Sequence, residues 1–141
     1  MQDKTILFIC SGNTCRSQMA EALAWQLCEQ GVFISAGTRA APLQPTRSHA
    51  LTLLRERGID WRGVSQRLIP EVLNKSDLVL VMTHEQKQLV EQMLAETNSQ
   101  HISVELLSAD AEIADPYGED LACYRRCMQS LEAALNYRFK F

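Results

Sequence analysis

The 141-residue sequence has no long hydrophobic run, no excess of basic residues and no even set of cysteines. The apolar run nearest the N-terminus, residues 6–10, is too short for the core of a signal peptide or for a membrane span. Fourteen basic against seventeen acidic side chains give a net charge of −3, which argues against general binding to nucleic acids or membrane surfaces. Five cysteines cannot all pair in disulfides, so we expect a cytoplasmic protein whose thiols stay reduced.

Internal repeats, low-complexity tracts and proline- or glycine-rich linkers are also absent, and the chain has only six glycines and four prolines. We therefore expect a single domain over residues 1–141. With 46% hydrophobic residues, a chain of this length can bury one sizeable core.

Short apolar segments alternate with longer segments of helical periodicity. Strands are predicted at residues 4–9, 32–36, 77–82 and 102–107. Helices are predicted at residues 17–30, from a cap at Thr46 to residue 58, from Pro70, from a capping box formed by Thr83 and Gln86, and at residues 121–138. This alternation predicts a doubly wound α/β fold, a three-layer sandwich with a four-stranded parallel sheet. Ligands of such folds bind beyond the strand C-termini, beginning with the turn after the first strand.

That turn holds residues 10–17, which read Cys-Ser-Gly-Asn-Thr-Cys-Arg-Ser. Gly12 and Asn13 tolerate the left-handed backbone that turns successive N–H groups inward toward an anion. The helix predicted to begin at Ser17 points its positive end at the same place, and Arg16 offers a planar fork for two phosphoryl oxygens. We therefore interpret the turn as a phosphate-binding loop.

Cys10, at the start of this loop, is the candidate nucleophile. The loop amides, the helix end and Arg16 all favour a thiolate, and Ser17 could donate a hydrogen bond to the sulfur. A nucleotide-binding loop is less consistent with the sequence, because no Gly-Lys-Ser/Thr follows. A simpler interpretation, a buried thiol at a strand end beside a surface arginine, stays open but is disfavoured by the strand–loop–helix order.

These residues resemble the low-molecular-weight protein tyrosine phosphatase family. Its members carry Cys-x5-Arg-Ser directly after the first strand and a distant Asp-Pro-aromatic, which are present here as residues 10–17 and as Asp115-Pro116-Tyr117. Ser35-Ala36-Gly37 after the second strand and the Val-Met-Thr of the third strand also resemble the family. The resemblance covers nearly the whole chain in order.

The resemblance implies that Cys10 attacks phosphorus to form a phosphocysteine, while Arg16 and the loop amides bind the phosphoryl oxygens. Asp115 would protonate the leaving group and then activate the water that hydrolyses the intermediate, with Tyr117 as a wall beside the substrate. Positioning and charge stabilisation suffice for loose phosphoryl transfer, so we expect no metal and no cofactor. The phosphate-binding loop would also include Ser11, Gly12, Asn13, Thr14, Cys15 and Ser17.

Beneath the loop, the resemblance implies that Asn13, Ser17 and Ser35 hold the loop and the thiolate. The histidine that often joins this network has no counterpart, because the matching position holds Gly63. The acid is less well defined from the residues alone, since Asp-Pro is a common start of a turn. Other aspartates remain rivals to Asp115, namely Asp60, Asp77, Asp110 and Asp120.

Thr14 departs from tyrosine-specific members, which usually carry a bulky aliphatic residue at this position. Bacterial protein arginine phosphatases of the same fold carry threonine there, and residues 14–22, residues 115–118 and Tyr124 also resemble that subgroup. A small hydroxyl side chain leaves room for a planar phosphoguanidinium, whereas a large aliphatic one packs on an aryl ring. We predict phosphorylated proteins as substrates, with phosphoarginine favoured over phosphotyrosine. The expected state is a monomer or weak dimer, without nucleic-acid or membrane partners.

Two other classes of function remain as alternatives. Thioredoxin-coupled arsenate reductases carry a similar loop, and residues 18–21 match them well. Those enzymes relay electrons through two further cysteines after the third strand, and residues 83–99 contain none. A catalytically inactive phosphopeptide-binding module is disfavoured because the nucleophile, the arginine and a candidate acid are all present.

The remaining cysteines are assigned by position. Cys15, five residues from Cys10 on a curled loop, is a candidate redox partner that could form a reversible disulfide and protect the nucleophile from overoxidation. Cys28, Cys123 and Cys127 are expected in helices, where buried packing is the commoner explanation.

Overall fold

The computed structural model describes residues 4–97, 99, 101–109 and 111–139. Within these residues the elements are, in order, β1 (Thr5–Cys10), α1 (Arg16–Leu27), β2 (Val32–Gly37), α2 (Ser48–Glu56), α3 (Pro70–Leu73), β3 (Leu78–Val81), α4 (His84–Thr97), β4 (Ser103–Leu106) and α5 (Leu121–Phe139). Each predicted strand and helix is present, in the predicted order. None of the helices in these residues is long and apolar enough to span a membrane.

The four strands form one parallel sheet in the order β2-β1-β3-β4, with helices on both faces. Ile6 and Phe8 of β1 face a core shared with α1, α2 and α5, whereas Leu7 and Ile9 face a second core shared with α3 and α4. Burial on both faces explains why β1 reads as a continuous apolar run rather than as an alternating pattern. The predicted three-layer α/β sandwich is confirmed.

The sheet topology places a crevice at the C-terminal end of β1. The chain passes from β1 to β2 on one side and then returns to β3 on the other, so β1 ends at a topological switch point. Cys10, the last residue of β1, pairs with Gly37 at the end of β2. A Cβ on Gly37 would lie 3.0 Å from the backbone nitrogen of Asn13 and closer still to the carbonyl oxygen of Ser11. The bare backbone at Gly37 therefore lets the loop after β1 fold down against β2.

The predicted limits of α1 are wrong at both ends. The helix begins at Arg16, one residue before the predicted start, and it ends at Leu27 rather than at residue 30. Cys28 turns to extended backbone, with φ −104° and ψ 127°, while its N–H still donates to the carbonyl oxygen of Ala24 at 2.9 Å. Cys28 thus lies just beyond the helix in which we expected it.

Thr46 does not cap α2, contrary to the prediction. Arg47 holds the capping position, without a side-chain capping bond. The Thr46 hydroxyl instead donates to the carbonyl oxygen of Gly63 at 2.9 Å, because a partner 17 residues away lies within its reach. A tertiary contact therefore replaces the local one.

The capping box at the start of α4 is confirmed. The backbone N–H of Gln86 donates to Thr83 Oγ1 at 3.3 Å, and the backbone N–H of Thr83 donates to Gln86 Oε1 at 3.1 Å. Gln86 Nε2 also donates to Ser11 Oγ at 3.2 Å. The start of α4 is thereby tied to the loop after β1.

Candidate active site

Residues 10–16 curl around an open pocket of about 590 Å³ at the end of β1. Asn13 has a left-handed φ of 57°, as expected for a loop that turns its amides inward. The pocket brings together most of the predicted site residues, namely Cys10, Gly12, Thr14, Cys15, Arg16, Asp115 and Tyr117. The other predicted residues do not line this pocket, and Asn13, Ser17 and Ser35 are buried around it.

Cys10 lies at the base of the pocket, where polar hydrogens surround its sulfur. Cys10 Sγ lies 2.8 Å from Ser17 Oγ and accepts a hydrogen bond from the backbone N–H of Asn13 at 3.3 Å. The sulfur of Cys10 is therefore held at the base of the pocket by hydrogen bonds from the loop, in a position suited to a nucleophile.

Asn13, Ser17 and Ser35 form a hydrogen-bonded network beneath the loop. Asn13 Nδ2 donates to Ser17 Oγ at 2.7 Å and to Ser35 Oγ at 2.9 Å. Because the Ser17 oxygen accepts this bond, its hydroxyl hydrogen is available to Cys10. The Ser35 hydroxyl donates onward to Glu21 Oε1 at 2.6 Å, and burial raises the pKa of the Glu21 carboxyl.

Gln18 is a member of this network that the sequence analysis missed. Its side chain, 1% exposed, donates through Nε2 to the carbonyl oxygen of Val64 at 3.0 Å and to Asn13 Oδ1 at 3.4 Å. Gln18 Oε1 accepts a hydrogen bond from Trp61 Nε1 at 2.8 Å. A Cβ on Gly63 would lie 2.6 Å from Trp61 Nε1 and closer still to Gln18 Oε1. The space next to Gly63, where the resemblance would place a histidine, is therefore filled by Gln18 and Trp61.

Arg16 reaches across the pocket from the first residue of α1. It is 3% exposed, and its NH1 group donates to the carbonyl oxygen of Ile113 at 2.8 Å while NH2 lies 3.5 Å from Asp115 Oδ2. Arg16 Nε is buried and has no hydrogen-bond partner among the described residues. Leaving such a donor unpaired is costly, and a phosphoryl oxygen in the pocket would satisfy it.

Asp115 lies in the loop before α5 and faces the pocket with a side chain that is 44% exposed. Asp115 Oδ1 accepts a hydrogen bond from the backbone N–H of Tyr117 at 3.0 Å, which forms the turn that an Asp-Pro pair favours. The carboxyl group thus serves the turn and still reaches the pocket.

The rival aspartates within the described residues have other roles. Asp60 pairs with Arg62, and Asp77 Oδ2 accepts from the backbone N–H of Thr5 at 2.8 Å. Asp120 Oδ1 accepts from the backbone N–H of Cys123 at the start of α5. None of these three lines the pocket, and Asp110 lies outside the described residues.

Tyr117 and Arg47 form the outer wall of the pocket. Tyr117 is 57% exposed, and the guanidinium carbon of Arg47 lies 4.4 Å from the centre of its ring. The backbone N–H of Arg47 donates to the carbonyl oxygen of Thr14 at 2.9 Å, which attaches this wall to the loop. The mouth of the pocket therefore carries an exposed positive charge.

Cys15 is buried in the same loop as a protonated thiol. Burial, together with nearby Cys10 and Asp115, raises the pKa of Cys15 to about 11. Its Sγ donates to Asp115 Oδ1 at 3.8 Å. All five cysteines are free, and the described residues contain no cluster of side chains suited to holding a metal ion.

Comparison with known proteins gives matches along almost the full chain. A family model described as low molecular weight phosphotyrosine protein phosphatase matches residues 5–140. A protein-arginine-phosphatase from Bacillus subtilis is 34% identical over 136 residues, which cover 92% of this chain and 91% of that protein. The low molecular weight protein-tyrosine-phosphatase PtpB from Staphylococcus aureus is 31% identical over 126 residues, covering 89% of this chain and 90% of that protein.

A solved structure matches at a similar level. It is a variant of the YwlE arginine phosphatase with a phosphorylated active-site serine, and it is 32% identical to this chain. The match has a TM-score of 0.88 and covers 96% of this chain and 93% of that chain.

Proposed function

Since this chain belongs to the low-molecular-weight phosphotyrosine protein phosphatase family of cysteine-based enzymes, we propose that its substrates are proteins phosphorylated on arginine. The observation that carries this choice is Thr14. Its small side chain, 8% exposed, lines the pocket beside Cys10. A threonine there leaves room for a branched, planar guanidinium and presents a hydroxyl to it. Overall identity does not separate the two substrates, because relatives named as an arginine phosphatase and as a probable tyrosine phosphatase are both 34% identical to this chain.

The proposed reaction begins at Cys10. Its thiolate attacks phosphorus, the phosphorus–nitrogen bond breaks, and the leaving guanidine nitrogen takes a proton from Asp115. Arg16 and the inward-turned loop amides bind the phosphoryl oxygens as charge shifts onto them. The phosphorylated active-site serine in the YwlE variant supports a covalent intermediate at the nucleophile position. Water then attacks the phosphocysteine and gives its proton to Asp115, which releases phosphate and restores the thiolate.

The position of Asp115 suits it to proton transfer. Its Oδ2 lies 3.5 Å from Arg16, and its carboxyl group lines the same pocket as Cys10. A carboxyl group there can give a proton to the leaving nitrogen and later take one from the attacking water.

Phosphotyrosine is the second candidate substrate. Tyr117, which lines the pocket and is exposed, can pack against an aryl ring. Relatives such as PtpB are named tyrosine phosphatases. An arsenate reductase remains disfavoured, because α4 and the residues around it contain no cysteine to carry electrons.

The substrate proposal predicts how Thr14→Ile changes specificity. We expect the wild-type enzyme to have a higher kcat/KM for a phosphoarginine peptide than for a phosphotyrosine peptide with the same flanking residues. Isoleucine removes the hydroxyl and narrows the pocket, so it should lower the arginine-to-tyrosine ratio by about 10- to 100-fold. Phosphate release from both peptides measures the ratio.

Two control variants separate size from polarity. Thr14→Ser keeps a small hydroxyl and should retain the arginine preference, whereas Thr14→Val keeps the shape and loses the hydroxyl. A wild-type preference for phosphotyrosine, unaltered in Thr14→Ile, would show that the substrate proposal is wrong and leave the phosphatase chemistry intact.

Cys15 is proposed as the redox partner of Cys10. Peroxide oxidises the Cys10 thiolate to a sulfenic acid, and the Cys15 sulfur displaces water from it to form a disulfide. Asp115 Oδ1, the acceptor of the Cys15 thiol, can take the proton that Cys15 loses and pass it to the departing hydroxide, which leaves as water. The disulfide would hold Cys10 in a form that a thiol can restore.

We therefore expect Cys15→Ser to recover much less of its own starting activity after peroxide treatment and incubation with dithiothreitol. Without the disulfide, the sulfenic acid proceeds to forms that thiols cannot reduce. Cys28→Ser is the matched control, because Cys28 lies beyond α1 and away from the pocket. This variant should recover like the wild type. Equal recovery in all three proteins would remove Cys15 from this role.

We also propose a cytoplasmic, single-domain enzyme that acts as a monomer or weak dimer. The five free cysteines suit a reducing compartment, in which the Cys10 thiolate would stay active. The family match over residues 5–140 supports a single phosphatase domain.

A further inference from the structure

We propose that Gln18 and Trp61 are positioning residues that set the direction of the hydrogen bonds ending at the Cys10 sulfur. The inference rests on the proposed role of Cys10 as the nucleophile. The two side chains lie next to Gly63, the position at which the resemblance to the family leads us to expect a histidine.

The orientation of the Gln18 amide is fixed by partners that can each act in only one way. The indole N–H of Trp61 can only donate, so it selects Oε1 of Gln18, at 2.8 Å. The carbonyl oxygen of Val64 can only accept, so it selects Nε2, at 3.0 Å. A flipped Gln18 amide would place two donors together at one end and two acceptors at the other.

Gln18 in turn helps to fix the amide of Asn13. Gln18 Nε2 lies 3.4 Å from Asn13 Oδ1, and the backbone N–H of Gln66 donates to the same oxygen at 2.8 Å. Two donors on Oδ1 direct the Nδ2 group of Asn13 toward Ser17 and Ser35.

The orientation of the Asn13 amide in turn determines where the Ser17 hydroxyl points its hydrogen. Ser17 Oγ accepts from Asn13 at 2.7 Å and lies 2.8 Å from Cys10 Sγ, so its hydrogen is directed at the sulfur. With the Asn13 amide reversed, the Ser17 hydroxyl would donate to Asn13 Oδ1 instead. The thiolate would then lose one of the two hydrogen bonds given to it by Ser17 and the backbone of Asn13.

Because these side chains are buried, the direction of their hydrogen bonds affects the energy of the network. Asn13, Ser17 and Gln18 are all buried, so a wrongly directed hydrogen bond would leave polar atoms unpaired away from water. Trp61 is held in place by its neighbours, since the next residues contact the pocket wall through the Thr46–Gly63 hydrogen bond and the Pro45–Val64 bridge.

Trp61→Phe is the sharpest test, because it removes one N–H and keeps an aromatic ring. The matched control is Gln26→Met, which removes a side-chain amide that donates to the carbonyl oxygen of Arg57 at 2.8 Å, outside the network beneath the loop. Gln18→Met is the second variant, since it keeps the length of the side chain and loses both the acceptor and the donor of the amide group. The thermal midpoint Tm of each protein reports any general loss of stability.

The main readout is the rate at which iodoacetamide alkylates Cys10, measured by mass spectrometry across a range of pH. The charged and titratable groups that line the pocket with Cys10 are Cys15, Arg16, Arg47, Asp115 and Tyr117, and Glu21 joins the network from beneath through Ser35; no variant alters any of them. We expect the pH midpoint of alkylation to move upward by about half a unit in Trp61→Phe and by about one unit in Gln18→Met. We also expect kcat for an aryl phosphate to fall about three- to tenfold, with KM changed less than twofold.

A purely structural role would lower Tm and leave the alkylation midpoint where it is. Midpoints in Trp61→Phe and Gln18→Met that equal that of Gln26→Met would overturn the inference. If Gln18→Met fails to fold, the Trp61→Phe result decides alone. The alkylation readout needs no phosphorylated substrate, so a wrong substrate leaves it standing, whereas a wild-type Cys10 that is unreactive at neutral pH would contradict the proposed nucleophile itself.

Discussion

The Cys10→Ser variant is expected to lose turnover of a phosphoarginine peptide and of a small aryl phosphate by about 10⁴-fold or more in kcat/KM. Serine keeps the shape of the side chain, but its hydroxyl is not ionised at neutral pH and attacks phosphorus far more slowly. The loop and Arg16 are untouched, so the variant should still bind inorganic phosphate. Phosphate release gives the loss of activity, and calorimetry gives the retained binding.

Cys28→Ser is the matched control for this prediction, because its thiol lies beyond α1 and should be dispensable. Wild-type activity should also persist in excess EDTA, since the proposed reaction uses charge from Arg16 and the loop rather than from a metal ion. Activity that survives in Cys10→Ser, or that EDTA abolishes in the wild type, would refute the phosphocysteine route.

The second large effect is expected for Asp115→Asn. Asparagine can still accept the hydrogen bond from the backbone N–H of Tyr117, so the turn before α5 is retained. It cannot supply a proton, and kcat should fall by about 10²- to 10⁴-fold for substrates whose leaving group must be protonated. A nitrophenyl phosphate, whose leaving group departs as a stable anion, should be affected much less. The dependence of kcat on the leaving group across a series of aryl phosphates measures the difference.

Asp120→Asn provides the comparison, since Asp120 accepts a hydrogen bond at the start of α5 and lies outside the pocket. Its kcat should show the wild-type dependence on the leaving group. An equal loss of activity for good and poor leaving groups in Asp115→Asn would assign the acid to another residue.

The order of the elements was predictable because most of the signal is local. β1 and β3 are short apolar runs bounded by polar residues, and Thr83 with Gln86 carries its capping pattern within four residues. The loop was predictable for the same reason, since residues 10–17 are contiguous and lie between a strand and a helix. In the loop and the capping box the signal lies between residues close in sequence, and in the two strands it lies in the apolar run itself.

Prediction failed where the partner lies far along the chain. Threonine is a common helix cap, but the Thr46 hydroxyl donates to the carbonyl oxygen of Gly63 instead. Gln18 gave no local sign of its role, because the Trp61 indole that orients it lies 43 residues away. Asp115 could be singled out as the acid only through the resemblance to the family. An Asp-Pro turn has the same sequence whether or not its carboxyl group reaches a pocket.

The Arg47–Tyr117 wall bears on how a substrate arrives. The chain as a whole has a net charge of −3, so its overall charge does not attract a phosphorylated protein. At the mouth the sign reverses, because exposed Arg47 stands over Tyr117 and Arg16 lies deeper in the same pocket. Such a field turns an approaching molecule until its phosphate leads. The positive charge at the mouth thus orients the phosphate on approach, and we expect added salt to weaken this attraction without altering the bonds made and broken at Cys10.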